Sequence, residues 1–242
     1  MDWIYPVITV FVGYLVLGIT GFGSALVIVP LLAWRWPLPE VVALTLLMDV
    51  PASALLGGLN FKQVNVAELR RLLPGLLVGM AAGLWLIGTL EPRWPLLLLG
   101  IFIALAGLNA LRTSKAALTP WSPHGAHLAG VLGGVVQMMF GTAGPVVLGW
   151  LQRRVDDVRV LRATTPAVMM IAASGVLLFM AWGGRLSNPD LWQRWLVLIG
   201  VALLAVSLGH SLSRHVPVLA LKRVICMLLV VSGLMLVWRA TR

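Results

Sequence analysis

Acidic residues and cysteine are scarce in this 242-residue sequence, which contains eight Asp and Glu residues and a single cysteine. Charged residues make up 11% of the chain and hydrophobic residues 60%, whereas a soluble domain carries roughly 25% charged residues. So few charges cannot cover the surface of a water-soluble globule of this size, which excludes a soluble enzyme. The high hydrophobic content also excludes intrinsic disorder. Because Cys226 stands alone, an intrachain disulfide and a cysteine metal cluster are excluded as well.

Basic residues outnumber acidic ones and give the chain a formal charge of +10. In a soluble protein this charge would suggest a nucleic-acid partner. Here the basic residues lie between apolar runs, which is typical of the cytoplasmic loops of membrane proteins. The sequence contains no basic stripe interleaved with aromatic residues, so we expect no nucleic acid as a partner. The expected partner is the lipid bilayer.

Eight apolar segments are separated by short polar stretches, and each is long enough to cross or enter a bilayer. They cover residues 3–34, 41–59, 72–90, 94–111, 125–151, 163–184, 195–212 and 218–238. The longest polar stretch, 112–124, falls at the midpoint and divides the segments into two sets of four. We therefore predict one integral membrane domain made of two repeats, residues 1–117 and 118–242.

The first and fifth segments are the longest, and glycines interrupt both of them beside a phenylalanine. The first contains GITGFGSALVIVPLL and the fifth contains GVVQMMFGTAGPVVL. Aligning the two Phe-Gly pairs, 22–23 with 140–141, places Ser24 opposite Thr142. One glycine cluster in a membrane helix is common as a packing feature. Two clusters at corresponding places in two halves are typical of an inverted-repeat transporter.

A count of Lys and Arg on the two sides of the membrane distinguishes two topologies. If all eight segments span the bilayer, each side carries nine basic residues. If the first and fifth segments are re-entrant hairpins, one side carries twelve and the other six, which obeys the positive-inside rule. The predicted fold class is therefore an all-α polytopic membrane protein with two inverted repeats. Each repeat is a broken re-entrant helical hairpin (3–34 and 125–151) followed by three transmembrane helices, and both termini lie outside.

Four stretches of the sequence carry a resemblance to a known family. They are the Gly-Phe-Gly break that leads to VPLL (29–32), its degenerate counterpart in the second half, LPGLLVGMAAG (73–83) and LKRVICMLLVVSGLMLV (221–237). Together these motifs resemble the sulfite exporter TauE/SafE family over essentially the whole chain. The resemblance implies a multi-pass protein of the bacterial plasma membrane that moves sulfite, sulfonates or other small organosulfur anions.

The two chain breaks form the predicted substrate site. Backbone groups of a hairpin tip at the bilayer midplane must be satisfied without water. Ser24 and Thr142 stand where the second half-helices begin, and serine and threonine are favoured N-caps. Two positive helix ends would then face one cavity, which suits an oxyanion, and the glycines would let the backbone approach it closely. The predicted substrate-binding residues are Gly21, Phe22, Gly23, Ser24, Ala25, Gln137, Phe140, Gly141, Thr142 and Ala143.

Two charged residues are candidates for further roles. Asp49 lies in the middle of an apolar segment, where an ionised aspartate costs roughly 2.5–3.5 kcal/mol, so it should face protein or a cavity. It either couples proton movement to the substrate or stabilises the helix near Pro51 through a hydrogen bond. Arg162 either contacts the anion at the mouth of the transport path or is an ordinary loop arginine that follows the positive-inside rule.

The sequence thus predicts a secondary transporter of a small anion that works by alternating access, with protons as a candidate coupling ion. It contains no nucleotide-binding, nucleophile-elbow or zinc-protease motif, so we expect no enzymatic activity, no cofactor and no metal. An anion channel on the same scaffold is the alternative, followed by an intramembrane enzyme. A homo-oligomer is compatible with the sequence.

Overall fold

A computed structural model describes residues 3–58, 61–91, 93–112, 125–155 and 157–213, together with six positions between 230 and 238. Within this part of the chain the helices are α1 (Ile4–Thr20), α2 (Ser24–Leu32), α3 (Leu38–Gly58), α4 (Val66–Thr89), α5 (Arg93–Arg112), α6 (Gly125–Phe140), α7 (Gly144–Leu151), α8 (Val158–Trp182) and α9 (Pro189–Leu212), and a 3-10 turn covers Phe61–Gln63. The described residues contain no strand. The predicted last helix, 218–238, lies outside the described residues apart from those six positions.

Four of the described helices, α3, α4, α8 and α9, are long and apolar enough to cross a bilayer. Their outward faces carry large apolar side chains, such as those of Leu77, Leu178 and Leu204, which are more than half exposed. Exposed leucines suit a surface that lies in lipid, because no water is there to disfavour them. The described chain is therefore all-helical, as the prediction of an all-α polytopic membrane protein requires.

Three helices begin earlier than hydropathy predicts. The helices α4, α8 and α9 start at residues 66, 158 and 189, where the apolar segments start at 72, 163 and 195. Each helix opens with a polar turn that a count of apolar residues leaves out. The side chains of Asn65, Asp157 and Asn188 each accept a backbone N–H of that turn, at 2.8–3.1 Å. A side-chain cap of this kind extends a helix into its polar flank.

The first long segment folds back on itself. The hydroxyl of Tyr5, near the start of α1, donates to the carbonyl of Leu31, near the end of α2, at 2.8 Å. Midway along the pair, a Cβ atom on Gly13 would lie 3.2 Å from the carbonyl oxygen of Ser24. Because α2 returns along α1, both ends of this hairpin lie at the same end of the bundle.

The fifth segment forms the second hairpin. A Cβ atom on Gly133 of α6 would lie 3.6 Å from the side chains of both Ala143 and Val147. Positions eight residues before the break and a few residues after it are therefore neighbours, so α7 returns along α6. Both long segments place a short second helix against a longer first one.

Glycines bring pairs of helices from different halves of the chain into backbone contact. A Cβ atom on Gly75 of α4 would lie 3.0 Å from the Cα of Gly130 on α6. A Cβ atom on Gly18 of α1 would lie 2.9 Å from the Cα of Gly209 on α9. Close packing through small residues is a main source of helix association in lipid. The most extensive helix contacts are those of α4 with α6 and of α1 with α9, and α3 packs against α8 between them.

Candidate functional site

Left-handed glycines end the first helix of each hairpin. Gly21 has φ +84° and Gly141 has φ +71°. Their N–H groups donate to the carbonyls of Leu17 at 2.7 Å and Gln137 at 2.8 Å. A glycine in this conformation is the usual C-terminal stop of a helix because it lacks the Cβ that makes positive φ costly. Gly21 and Gly141 are therefore the structurally equivalent positions of the two breaks.

This equivalence corrects the alignment made from the sequence. The Phe-Gly pairs placed Ser24 opposite Thr142, but the matching glycines place Ser24 opposite Gly144 and Phe22 opposite Thr142. Relative to the left-handed glycine, the Phe-Gly dipeptide lies two residues earlier in the second break than in the first. The two breaks correspond through the backbone geometry of their glycines and not through the phenylalanines.

The prediction that Ser24 and Thr142 cap the second half-helices is wrong. The N-cap positions of α2 and α7 are Gly23 and Ala143, and neither of these residues caps its helix through its own side chain. Ser24 is the first residue of α2 and not its N-cap. Its hydroxyl donates to Asp49 instead. Thr142 lies one residue before the N-cap of α7.

A small cavity of about 20 Å³ lies between the two breaks. This volume holds about one water molecule and is too small for a sulfite ion, which has a sulfur and three oxygens. Seven of the ten predicted binding residues line the cavity, together with Asp49. The lining residues are Leu17, Phe22, Gly23, Ser24, Ala25, Asp49, Ser53, Gln137, Gly141, Thr142, Gly144 and Met169.

The two breaks touch each other across this cavity. A Cβ atom on Gly144 would lie 3.2 Å from Cδ2 of Phe22 and 3.7 Å from Oγ1 of Thr142. The Phe22 ring of the first break therefore packs over the start of α7. The absence of a side chain at Gly144 makes this close approach possible.

Asp49 joins the first hairpin to α3. Its Oδ1 atom accepts hydrogen bonds from the hydroxyls of Ser24 and Tyr14, each at 2.8 Å. The Tyr14 hydroxyl also lies 3.1 Å from the carbonyl oxygen of Thr45. Among the described residues no donor reaches Oδ2 of Asp49, and the residue lines the cavity. Asp49 thus connects α1 and α2 to α3 through Oδ1 and also lines the cavity.

Gln137 holds the second break in place. Its Oε1 atom accepts the backbone N–H of Ala143 at 2.6 Å, and the side chain is buried. This bond satisfies a backbone donor at the start of α7 that has no partner within the helix. The amide nitrogen carries two further hydrogens, and Gln137 lines the cavity.

The polar groups around the cavity are neutral donors and one carboxyl group. Hydroxyls of Ser24, Ser53 and Thr142 and the amide of Gln137 are present, and no Lys or Arg is among the described lining residues. The starts of α2 and α7, where the helix dipoles are positive, lie beside these donors.

Three predicted binding residues do not line the cavity. Gly21 is the C-cap of α1, and Ala143 gives its N–H to Gln137. The ring of Phe140 stacks on Phe102 of α5, with ring centroids 6.1 Å apart. Arg162 lies in α8, but its side chain is outside the described part of the chain.

Five lining or supporting residues were missed in the sequence: Tyr14, Leu17, Ser53, Gly144 and Met169. Tyr14 could have been found as a phenol within an apolar run. Ser53 lies four residues after Asp49 and therefore on the same face of α3. Gly144 and Met169 carry no sequence signal that separates them from ordinary packing residues.

Two polar clusters lie at opposite ends of α3. At the start of α4, the buried carboxylate of Glu68 pairs with Arg71 and Arg154 and accepts the indole N–H of Trp150 at 3.0 Å. The backbone N–H of nearby Asn65 donates to Thr164 Oγ1 at 3.0 Å. This cluster joins α4 to the end of the second hairpin.

The other cluster lies at the start of α3. The carboxylate of Glu40 pairs with Arg194 at 2.8 Å and accepts from the amide of Asn188 at 3.3 Å. The guanidinium of Arg194 lies 4.4 Å from the ring centroid of Trp36. This cluster joins the start of α9 to the end of the first hairpin.

Comparison with known proteins agrees with these sequence and structural features. The family model described as sulfite exporter TauE/SafE matches residues 6–236. The chain is 44% identical over 203 residues to the probable inner membrane transporter protein TsaS of Comamonas testosteroni, and the alignment covers 81% of this chain and 83% of that protein. The chain matches no solved structure. The two matches confirm the resemblance carried by the sequence motifs.

Proposed function

Because the chain belongs to the sulfite exporter TauE/SafE family, we propose that it is a secondary transporter of a small anion of the sulfite, sulfonate or related organosulfur class. Membership of the family makes the chain a membrane transporter of the sulfite exporter type. The inner membrane location named for its relative supports a place in the bacterial inner membrane. The observation that carries the proposal is the cavity shared by the two chain breaks.

The anion binds in this cavity at the starts of α2 and α7. Helix N-termini attract anions because their first N–H groups are unpaired and the helix dipole is positive there. With no basic side chain among the described lining residues, the field is modest and suits a small, weakly charged oxyanion. Hydroxyl and amide donors from both breaks support this assignment because they can replace the hydration shell of the anion.

Equivalent contacts in the two halves support an inverted repeat. With Gly21 matched to Gly141, the contact of α1 with α9 corresponds to that of α6 with α4, and α3 pairs with its own counterpart α8. The first hairpin opens at the end of the bundle where α9 begins, and the second opens where α4 begins. These ends are opposite ends of α3, so the hairpins enter from opposite sides.

Alternating access fits this arrangement. The cavity of about 20 Å³ has room for about one water molecule, so loading an anion requires the two breaks to separate. Movement of one half relative to the other opens the cavity first to one side and then to the other. A cavity too small for the anion favours a carrier, which must change shape to load its substrate, over the alternative of a channel on the same scaffold.

Purified protein in liposomes tests the proposal. We expect saturable uptake of radiolabelled sulfite or methanesulfonate, inhibited by the other anion and absent from protein-free vesicles. A matched variant, Gly144→Ala, should lower uptake because its methyl group occupies space beside Phe22. Currents of channel magnitude without saturation would refute the carrier mechanism, and the absence of anion flux under every gradient would refute the function.

A further inference from the structure

The two polar clusters at opposite ends of α3 are built in the same way. Each contains a carboxylate from the first half of the chain, an arginine from the second half and a tryptophan ring against that arginine. The Glu40 cluster consists of Glu40, Arg194, Asn188 and Trp36, and the Glu68 cluster consists of Glu68, Arg71, Arg154 and Trp150. Both clusters therefore tie the first half of the chain to the second, at opposite ends of the bundle.

Each cluster also holds the far end of a short helix whose start lines the cavity between the two breaks, here called the central cavity. Trp36 comes four residues after Leu32, the last residue of α2, and α2 begins with Ser24 at the cavity. Trp150 lies near the end of α7, six residues after Gly144 at the cavity, a rise of about 9 Å. A short helix that moves away from the other half must therefore break the cluster at its far end.

The carboxylates are shielded from solvent while the clusters are formed. The side chain of Glu68 is 5% exposed and that of Glu40 is 31% exposed, and their partners Arg154 and Arg194 are largely buried. A shielded carboxylate that loses its arginine without gaining water is costly. Each cluster therefore favours two arrangements, one closed and dry and the other separated and hydrated. Water reaches the separated arrangement through an opening at that end of the bundle.

We infer that the Glu40 cluster and the Glu68 cluster are the two gates of the transport path, one at each end. The inference rests on the alternating access proposed above, and it identifies the contacts that alternate. Both clusters are formed in this structure, and the central cavity has room for about one water molecule. This combination is that of an occluded state. When the halves separate at one end, the cluster at the other end keeps them joined.

The two gates differ in strength. Glu68 accepts hydrogen bonds from two arginines and an indole, and at the same end the backbone N–H of Asn65 donates to Thr164 of the second half. Glu40 accepts from Arg194 and Asn188 and is more exposed, and exposed ion pairs contribute less than buried ones when they are intact. The Glu40 gate should therefore open more readily in the absence of substrate.

A single cysteine in the central cavity reports which gate is open. Ser53 lines the cavity and is buried, and in a Cys226→Ser background Ser53→Cys carries the only thiol of the chain. A membrane-impermeant thiol reagent is added to right-side-out spheroplasts or to inside-out vesicles, and the labelling rate is measured from each side. A reporter fusion after Arg35 identifies the side of the membrane on which the Glu40 end lies.

Each gate variant should speed labelling from its own end alone. We expect Glu40→Gln to raise the rate from the Glu40 end, and Glu68→Gln the rate from the Glu68 end, each at least about fivefold, because loss of an ion pair moves the population towards the open state. Without either substitution, labelling should be faster from the Glu40 end, and the reverse order would overturn the ranking of the gates. Glu91→Gln is the matched control, since it removes the same charge from an exposed ion pair outside both clusters, and both rates should stay unchanged.

Trp150→Phe is a milder second variant of the Glu68 gate, because Glu68→Gln also costs stability. It removes the indole N–H that Glu68 accepts at 3.0 Å and should raise labelling from the same end about twofold. Thermal unfolding checks that each variant is folded. Equal acceleration from both ends in the gate variants would mean a loosened fold and would overturn the inference, as would unchanged rates in all three.

Labelling does not require anion transport, so it separates this inference from the proposed function. One-sided acceleration in the gate variants of a protein that moves no anion in liposomes would refute the proposed function alone. Saturable anion uptake by a protein whose labelling is unchanged in Glu40→Gln and Glu68→Gln would refute the gates alone.

Discussion

The indole of Trp195 occupies a hydrogen-bonding position that Pro51 leaves open in another helix. Proline has no N–H, so Pro51 cannot bond to the carbonyl of Leu47 four residues earlier in α3. The Nε1 atom of Trp195, on α9, donates to that carbonyl at 3.2 Å. A kink-forming residue next to Asp49 is thus stabilised by a side chain from the other half of the protein.

Replacement of this indole should cost stability in a way that depends on Pro51. Trp195→Phe leaves the carbonyl of Leu47 without its donor, and we expect a loss of about 1–2 kcal/mol in the free energy of unfolding. In a Pro51→Ala background the new backbone N–H satisfies the carbonyl, so the same substitution should cost less. Denaturant titrations of the four proteins measure this coupling. Equal costs in both backgrounds would show that the indole acts by packing alone.

Gly144 should be sensitive to a single methyl group, although its helix tolerates one elsewhere. Gly144→Ala places a Cβ 3.2 Å from the ring of Phe22 at the central cavity. Gly149→Ala, in the same helix, meets no heavy atom within 4 Å. We expect Gly144→Ala to lower the maximal transport rate severalfold and Gly149→Ala to leave it unchanged, with similar thermal stability for both. Loss of transport in both variants would point to the helix and not to the cavity.

Asp49→Asn should separate proton coupling from structure. The amide oxygen can still accept from Ser24 and Tyr14, so the fold should persist, but the side chain no longer exchanges a proton. Because proton and anion have opposite charges, each should favour binding of the other in the wild type, and acid on the side of the anion should speed its uptake. We expect this acceleration to vanish in Asp49→Asn.

Tyr14→Phe is the matched control for Asp49. It removes a hydrogen bond to Oδ1 but keeps the carboxyl group, so the response to a pH gradient should remain. Proton flux and anion uptake in proteoliposomes give the readout. An unchanged pH response in Asp49→Asn would assign a structural role to Asp49.

The buried and exposed ion pairs of the chain should differ in their contribution to stability. The side chain of Glu68 is 5% exposed and faces Arg154 and Arg71, so Glu68→Gln should lower the free energy of unfolding by about 3 kcal/mol. The pair of Glu91 with Arg93 is 66% exposed on both sides, and Glu91→Gln should change it by less than about 0.5 kcal/mol. Denaturant titration of both variants checks the contrast. A similar small effect in both would mean that solvent reaches Glu68.

Reporter fusions test the predicted orientation, which rests on the asymmetry of basic residues. Fusions after Arg35 and after Arg242, which lies outside the described residues, should report a periplasmic location. A fusion after Arg153, at the end of the second hairpin, should report a cytoplasmic one. A cytoplasmic signal after Arg35 would contradict both the re-entrant first hairpin and the outside termini.

Hydropathy predicted the helical segments well because long apolar runs leave few alternatives to a membrane helix. It failed at the polar first turns of α4, α8 and α9, where an Asn or Asp cap adds five or six residues to the helix. The glycine breaks were also visible in the sequence, and most of the residues around them do line one cavity. The residue-by-residue correspondence of the two breaks was not visible in the sequence. It depends on the positive φ of Gly21 and Gly141, which no residue pattern reveals.

The long-range contacts of buried polar side chains could not be predicted from the sequence, for a different reason. Nothing around Glu68 distinguishes it from a loop acid beside Arg70 and Arg71, and its burial depends on Trp150 and Arg154, which come much later in the chain. The hydrogen bonds of Asp49 likewise require α1 and α2 to be folded together. Such contacts are properties of the packed helices and have no local signature.

The exchange of helix partners between the halves has a consequence for biogenesis. α1 leaves the ribosome first, yet Gly18 packs on Gly209 of α9, which is synthesised near the end of translation. The glycine face of α4 likewise has no packing partner until α6 has been synthesised. The glycine faces of each half are covered only by helices of the other half, so insertion into the bilayer must precede assembly. The first hairpin therefore lacks its packing partner until the last helices are made. Fragments 1–117 and 118–242 should therefore be degraded when made alone and should become stable when made together.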